Sequence, residues 1–336
     1  MRRTMILSVF GVAIAAETSP VAGSDPAPFK AGVATRIITP DVPMWMAGYG
    51  NRDHASEGTQ HDLTVNALAL EDAWGAVLVL VTSDLIGIPR EFGDNVASEV
   101  QRRAGIPRER LMLTASHTHC GPVLDHNLMD MYPMSEAQKA QVARYTERLV
   151  QTMVETILDA LADRKPAQIT YGSGTARFAM NRRQPTANGI INGRNPDGPV
   201  DHSVPVLRVN SADGSVRAAV FGYACHNTTL SYYRFCGDYA GFAQRDVEAK
   251  HPGAVAMFWA GCGADANPLP RGTVEHAKRY GGELAEAVDG VLAKSMTPIE
   301  GTFAARYATI PLPFDHVPTR EQLVADAQDK KNHTKR

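Results

Sequence analysis

The chain has 336 residues, an apolar fraction of 44% and a formal net charge of −2 from 34 basic and 36 acidic side chains. That is enough for one large domain or two ordinary ones around a sizeable core. The two signs are interspersed without long like-charge runs, which excludes the basic footprint of a nucleic-acid binder or of a protein drawn to anionic membranes, and leaves a small molecule as the expected partner.

Two arginines precede an apolar stretch from Met5 to Ala16 that ends in small residues, the pattern of a secretory signal peptide. Residues 1–23 are therefore expected to be signal peptide and leader of a secreted or periplasmic protein, with a buried N-terminal strand as the competing reading. The stretch is too short to span a bilayer, and no later segment reaches the ~18 consecutive apolar residues that a transmembrane helix needs.

"AGVATRIITP" alternates as a strand closed by Pro40, and "MWMAGYGNRDHASEG" is a loop of the composition that often carries function. "LTVNALALED" and "GAVLVLVTSDL" predict a hairpin turning at Asp72 to Gly75, with a buried second strand. "REFGDNVASEVQRRAG" has helical spacing and stops at Gly105, and "RLMLTASH" is a further short strand. A long helix is predicted from about Ser135 to Ala162, followed by a strand at "AQITYGSGTA".

The polar excursion "NRRQPTANGIINGRNPDGPVDHS" is long enough to suggest a binding loop. A second hairpin, "VPVLRVN" and "VRAAVFGYACH", turns at Asp213-Gly214. "AVAMFWAGCGADANP" is another apolar run emptying into a polar loop, a helix is predicted over about Val274 to Leu292, and "GTFAARYATIPL" reads as a last strand. Thr319 and Gln322 have capping-box spacing, so residues 316–336 read as the start of a helix. No internal repeat is visible. The order of elements predicts an α/β (α+β) fold, a mixed β-sheet core flanked by helices.

Three apolar runs end in "SHTHCGP", "ACHNTTL" and "GCGADANP", and strand ends gathered at one edge are where such folds bind ligands. If the first strand continues, His117 and His119 share a face and converge on one centre. Imidazole suits both zinc and acid/base work, and His226 at a similar strand end strengthens either role. Asp84, Asp238 or Asp265 could complete a ligand set, since a catalytic zinc usually takes three protein ligands and water; solvated loop aspartates are the alternative.

A serine hydrolase is disfavoured, because there is no G-x-S-x-G elbow and Ser116 points away from its neighbour His117. No Walker-type phosphate loop occurs. Cys120 and Cys262 fit buried thiols better than nucleophiles. The four cysteines, Cys120, Cys225, Cys236 and Cys262, have no C-x-x-C spacing, leaving three possible full pairings or free thiols.

Taken in order, "GVATRIITP", "MAGYGNR", "HTHCGP", "NRRQ", "ACHNTTL" and "GCGADANP" resemble the N-terminal domain of neutral/alkaline non-lysosomal ceramidases and their bacterial relatives, from about Gly32 to Phe314. The resemblance implies a catalytic domain over 30–315 and a catalytic Zn2+ held by His117 and His226. It implies that His119 moves protons, that Arg182 of Asn181-Arg182 contacts the reacting group, and that Asp265 and Asn267 are polar neighbours of the reaction. Ala266 stands where the family's serine lies beside the metal.

The resemblance also implies two further zinc ligands, a glutamate and a tyrosine, downstream of the helix that begins near Thr319, so that the chain reads as a C-terminally truncated fragment. The implied activity is zinc-dependent hydrolysis of an N-acyl amide, ceramide to sphingosine and fatty acid or a related lipid amide, with transient contact at a membrane surface. The alternatives are a metal-dependent hydrolase of another ester or amide, such as a cell-wall or carbohydrate derivative, and a non-catalytic binding domain whose histidines satisfy strand-end hydrogen bonds.

Overall fold

In the computed structural model, which describes residues 29–328, two runs of elements with one order follow each other. The first comprises β1 (Lys30–Ile37), β2 (Thr64–Glu71), β3 (Val77–Ser83), helix α1 (Arg90–Ala104), β4 (Leu111–Ala115) and helix α2 (Glu136–Ala162). The second comprises β5 (Lys165–Thr175), β6 (Ser203–Ser211), β7 (Val216–Tyr223), α3 (Asp238–Lys250), β8 (Val255–Ala260) and α4 (Val274–Leu292). In each run the first three strands are antiparallel, and the fourth lies parallel to the third after a helical crossover. No repeat is legible in the sequence because a shared topology demands matching apolar periodicity, not matching residues. The predicted signal peptide and leader lie outside the described residues.

The strands form a nine-stranded sheet in the order β8-β7-β6-β5-β1-β2-β3-β4, with β9 (Thr297–Pro298) paired to β5. The halves are joined through only two pairs, Lys30 with Pro166 and Ala31 with Lys165. Side-chain alternation then builds four layers. Val65, Ala67, Val79, Val81 and Leu111 pack with α1 and α2, while Val204, Val206, Phe221 and Phe258 pack with α3 and α4. The alternate positions Leu68, Leu70, Ile169, Val209, Val220 and Met257 meet in a third cluster between the half-sheets. The expected mixed α/β architecture is the one found.

Both predicted hairpins form. Asp72 organises the first turn by accepting from the backbone of Trp74 and Ala76. Ser135 and Gln138 close a capping box at the start of α2. The strand expected at "GTFAARYATIPL" does not form: residues 302–314 lack regular structure and Leu312 and Phe314 are exposed. Alternation makes a strand only where a neighbour completes its ladder, and the segment leaves the sheet after Ile299 donates to the Ile169 carbonyl. Thr319 and Gln322 cap a short exposed helix, α5 (Arg320–Gln328). The polar excursion contains an exposed hairpin, Arg183–Thr186 with Gly189–Asn192. All four cysteines are free; Cys120, Cys225 and Cys236 are buried, whereas Cys262, expected to be a buried thiol, is exposed in the loop after β8.

Candidate metal centre

β4 stops two residues before His117, which takes a left-handed backbone at φ 59°. The convergence of His117 and His119 therefore comes from a sharp departure from the strand and not from strand alternation as expected. Such a conformation is costly for a residue with a Cβ and clusters at functional sites. The turn brings the Nδ1–H of His117 to the Ile86 carbonyl at 2.7 Å, just beyond the end of β3.

His226 follows β7 and is fixed in the same manner. Its Nδ1–H donates to the Gly263 carbonyl at 2.8 Å, and its backbone N–H to the Ala266 carbonyl at 3.0 Å. A carbonyl only accepts, so both rings carry a proton on Nδ1, and each in its neutral form presents a bare Nε2, the arrangement in which a histidine binds a metal. His119 completes the group, with its Nε2 3.3 Å from that of His117. The three rings lie 4.7 to 6.0 Å apart between centroids, and one ligand atom from each falls within 4.8 Å of the others. Among the described residues this is the one group of three or more His, Cys, Asp or Glu side chains able to share an ion.

The surroundings keep His119 and His226 neutral. Burial, with the charges of His117, His226, Arg52 and Arg182 adding to it, pushes the pKa of His119 down to about 3. Burial also takes His226 down to about 4 against the opposing Gly263 hydrogen bond, with Arg182, His117 and Arg183 contributing. A neutral ring is the one that ligates.

The loop after β1 holds His119. Gly48 sits at φ 105° with its backbone against the ring, so that a Cβ there would lie 2.4 Å from Cγ of His119. Tyr49 meets the ring edge-on at 4.9 Å. The buried Arg52 donates to the carbonyls of His119 and Tyr232 at 2.8 and 3.0 Å. Sequence reasoning did not single out these three residues; their only signal is the "MAGYGNR" motif, whose glycine and arginine find their reason here. By contrast with its two neighbours, His119 has a buried Nδ1 without a hydrogen-bond partner.

Arg182 is fastened to the opposite wall. Its backbone N–H donates to the Asp265 carbonyl, its Nε to the Ala264 carbonyl at 2.9 Å and its Nη1 to Oδ1 of the buried Asn267 at 3.3 Å. Asn267 lies in a short strand, Ala266–Pro268, paired with Ala179–Asn181, which explains how "NRRQ" and "ADANP" come together. Asp265 thus supplies a backbone anchor while its carboxylate charge acts on Arg182.

Asp84 and Asp238, considered as further ligands, are spent on the backbone. The Asp84 carboxylate accepts from the backbone and hydroxyl of Thr64. That of Asp238 accepts from the backbones of Thr229, Leu230 and Tyr239. Burial raises the pKa of both.

The fold and its histidine cluster define a four-layer α/β protein with a candidate metal centre built from strand-end loops of both halves. Residues 29–268 match the family model of the neutral/alkaline non-lysosomal ceramidase N-terminal domain, and the chain belongs to that family. It is 28% identical over 256 residues to the neutral ceramidase of Pseudomonas aeruginosa, covering 70% of this chain and 36% of that protein. It is 27% identical over 285 residues to the neutral ceramidase of Mycobacterium tuberculosis, covering 75% and 39%.

The crystal structure of the Pseudomonas aeruginosa neutral ceramidase superposes with a TM-score of 0.69 at 22% identity, over 83% of this chain and 47% of that one. A structure of ceramidase complexed with C2 gives a TM-score of 0.69 at 23% identity, over 82% and 45%. The chain thus spans less than half the length of these relatives. No helix among the described residues is long and apolar enough to cross a membrane.

Proposed function

We propose that the chain carries the metal-binding half of a zinc-dependent amidohydrolase that cleaves the N-acyl bond of ceramide or a related lipid amide. The observation that carries this reading is the asymmetry among the three histidines. His117 and His226 have their Nδ1–H groups locked on carbonyls and their Nε2 atoms turned to a common point, as metal ligands require. His119 lacks such an anchor.

In this reading His117 and His226 hold the metal, which supplies Lewis acidity toward the scissile carbonyl and the attacking water. His119, neutral at pH 7 and within 3.3 Å of a ligand nitrogen, accepts a proton from the water and returns it to the leaving amine. Arg182, held by Asn267 and the Ala264 carbonyl, steadies the negative charge that develops on the carbonyl oxygen. A secretory leader would place the enzyme outside the cytoplasm, where lipid amides are met at membrane surfaces.

Metal analysis of purified full chain tests the division of labour. Zinc should be present at about one per chain and be lost in His117→Ala and in His226→Ala. His119→Ala should keep its zinc while turnover of an N-acyl amide falls about 10²- to 10⁴-fold. Full occupancy in His117→Ala sinks the assignment. Because Ala266 replaces the serine that the family resemblance leads one to expect, an amide other than ceramide is the second reading.

A further inference from the structure

The identity of the substrate beyond its amide is informed by a cavity that shares Asn267 with the Arg182 wall of the centre. The strand that offers its Ala266 carbonyl to His226 also delivers Asn267 to the wall of a cavity of about 460 Å³, lined further by Met180, Asn192, Arg194, Leu269 and Arg271. Among the described residues no carboxylate lines it. Arg182 reaches Asn267 from the histidine side, and Arg183 donates to the same Ala264 carbonyl as Arg182.

Four arginines therefore gather around one strand, and none of Arg182, Arg183, Arg194 and Arg271 forms an ion pair with a described carboxylate. Elsewhere Arg103 pairs with Glu155 and Arg164 with Glu71. Burial, and then the charges of Arg183 and Arg271, loosen the hold of Arg182 on its own proton. The Asp265 carboxylate offsets part of this crowding, and a ligand of opposite sign would offset the rest.

The two cavity arginines are also positioned. The residues flanking Arg194 are pinned to the Asn181-Arg182 segment, with Gly193 N–H on the Arg182 carbonyl and Asn195 N–H on the Asn181 carbonyl, both at 2.9 Å. Those flanking Arg271 are pinned to the His226 side, through Gly272 N–H on the Thr229 carbonyl at 2.7 Å and the Tyr280 hydroxyl on the Pro270 carbonyl. The backbone on either side of each arginine is thus fixed while its side chain is exposed at the cavity, and a guanidinium matches the geometry of carboxylate and phosphate oxygens.

We propose that this cavity receives an anionic group, carboxylate or phosphate, so that the substrate of the histidine centre is an anionic N-acyl amide, an acylated amino acid or phospho-amine, and not an uncharged lipid amide. The inference rests on the reading of the centre as an amide hydrolase. Arg194 and Arg271 hold the anion, while Arg182 stays with the reacting carbonyl.

Equilibrium binding to purified full chain tests this with three soluble probes of one acyl length: N-lauroylglycine, N-lauroylaminomethylphosphonate and the neutral N-lauroylethanolamine. The better anionic probe should bind at least about tenfold tighter than the neutral one, and which anion wins assigns the group. The preference should shrink as salt rises from about 0.05 to about 0.5 M. It should disappear in Arg194→Ala/Arg271→Ala, whose exposed side chains leave the fold intact by circular dichroism.

Equal binding of the neutral probe, or a preference that survives the double substitution, overturns the proposal. So does capture by anionic vesicles without discrimination among the soluble probes, which would make the arginines a membrane contact. Zinc content measured in the same samples separates the two readings. Zinc without anion preference refutes the cavity assignment alone, and anion preference without zinc refutes the hydrolase alone.

Discussion

The contact between Gly48 and His119 shows how a residue with no chemistry of its own sets the position of one that has it. At φ 105° the Gly48 backbone lies where only a glycine sits without strain, and the missing Cβ leaves the space that the imidazole fills. Gly48→Ala must change the backbone or push the ring away, at a cost of about 1–3 kcal/mol. Urea unfolding should show that loss. Zinc content should stay near wild type, because the anchors of His117 and His226 lie on other loops, while turnover falls with the displaced His119. Wild-type stability together with wild-type turnover would show that the loop is not the cradle described.

At the scale of elements, α3 is the one large helix that sequence reasoning missed, and the reasons are physical. Its first residue, Asp238, has φ 55° and no side-chain cap precedes it, so the usual start signal is missing. Burial on several sides, from Tyr239 to Val247, blurs its amphipathic stripe. α2 and α4 were legible because Ser135 and Thr273 cap them, and both hairpins because their turns carry Asp and Gly. At the centre, the pair His117/His119 and its partner His226 could be found from strand-end position. The left-handed turn at His117 could not, since positive φ is uncommon for any residue with a Cβ, histidine included.

What starts α3 instead is His61. The Gly237 N–H donates to its Nε2 at 2.8 Å, and Gly241 leaves room for the ring. Burial, with Arg245 nearby, takes the His61 pKa down to about 4, and the hydrogen bond requires an unprotonated Nε2. As pH falls the unfolded chain therefore takes up the proton first. This contribution is whole above about pH 6.5 and is lost as the pH drops toward 4, amounting to about 3 kcal/mol. His61→Gln can still accept from Gly237 and does not titrate. Urea midpoints measured from pH 7 to 4 should fall less steeply for this variant than for wild type, and parallel slopes would remove His61 from the account.

For the whole molecule, the topological repeat explains where the centre lies. Ser116 N–H bonds to Ser83 O in the first half as Gly261 N–H bonds to Tyr223 O in the second, so His226 occupies the place of Ile86, the residue whose carbonyl anchors His117. The halves share few main-chain pairs, and Arg217 of β7 ties them by donating to the Ala31 carbonyl of β1 and to the carbonyl and carboxylate of Asp163. A metal on His117 and His226 would be a second tie, because each half contributes one ligand. Binding to the folded state alone raises stability by about 2.7 kcal/mol at a hundred times Kd, which for a chain of this size moves Tm by roughly 5 °C. Chelator-treated protein titrated with zinc in differential scanning calorimetry should show that rise as one cooperative transition. His226→Ala should abolish it, although it leaves the first half's ligand in place. A Tm that zinc does not move, or a rise that survives His226→Ala, would show that no ion bridges the two halves and that the histidines meet there for another reason.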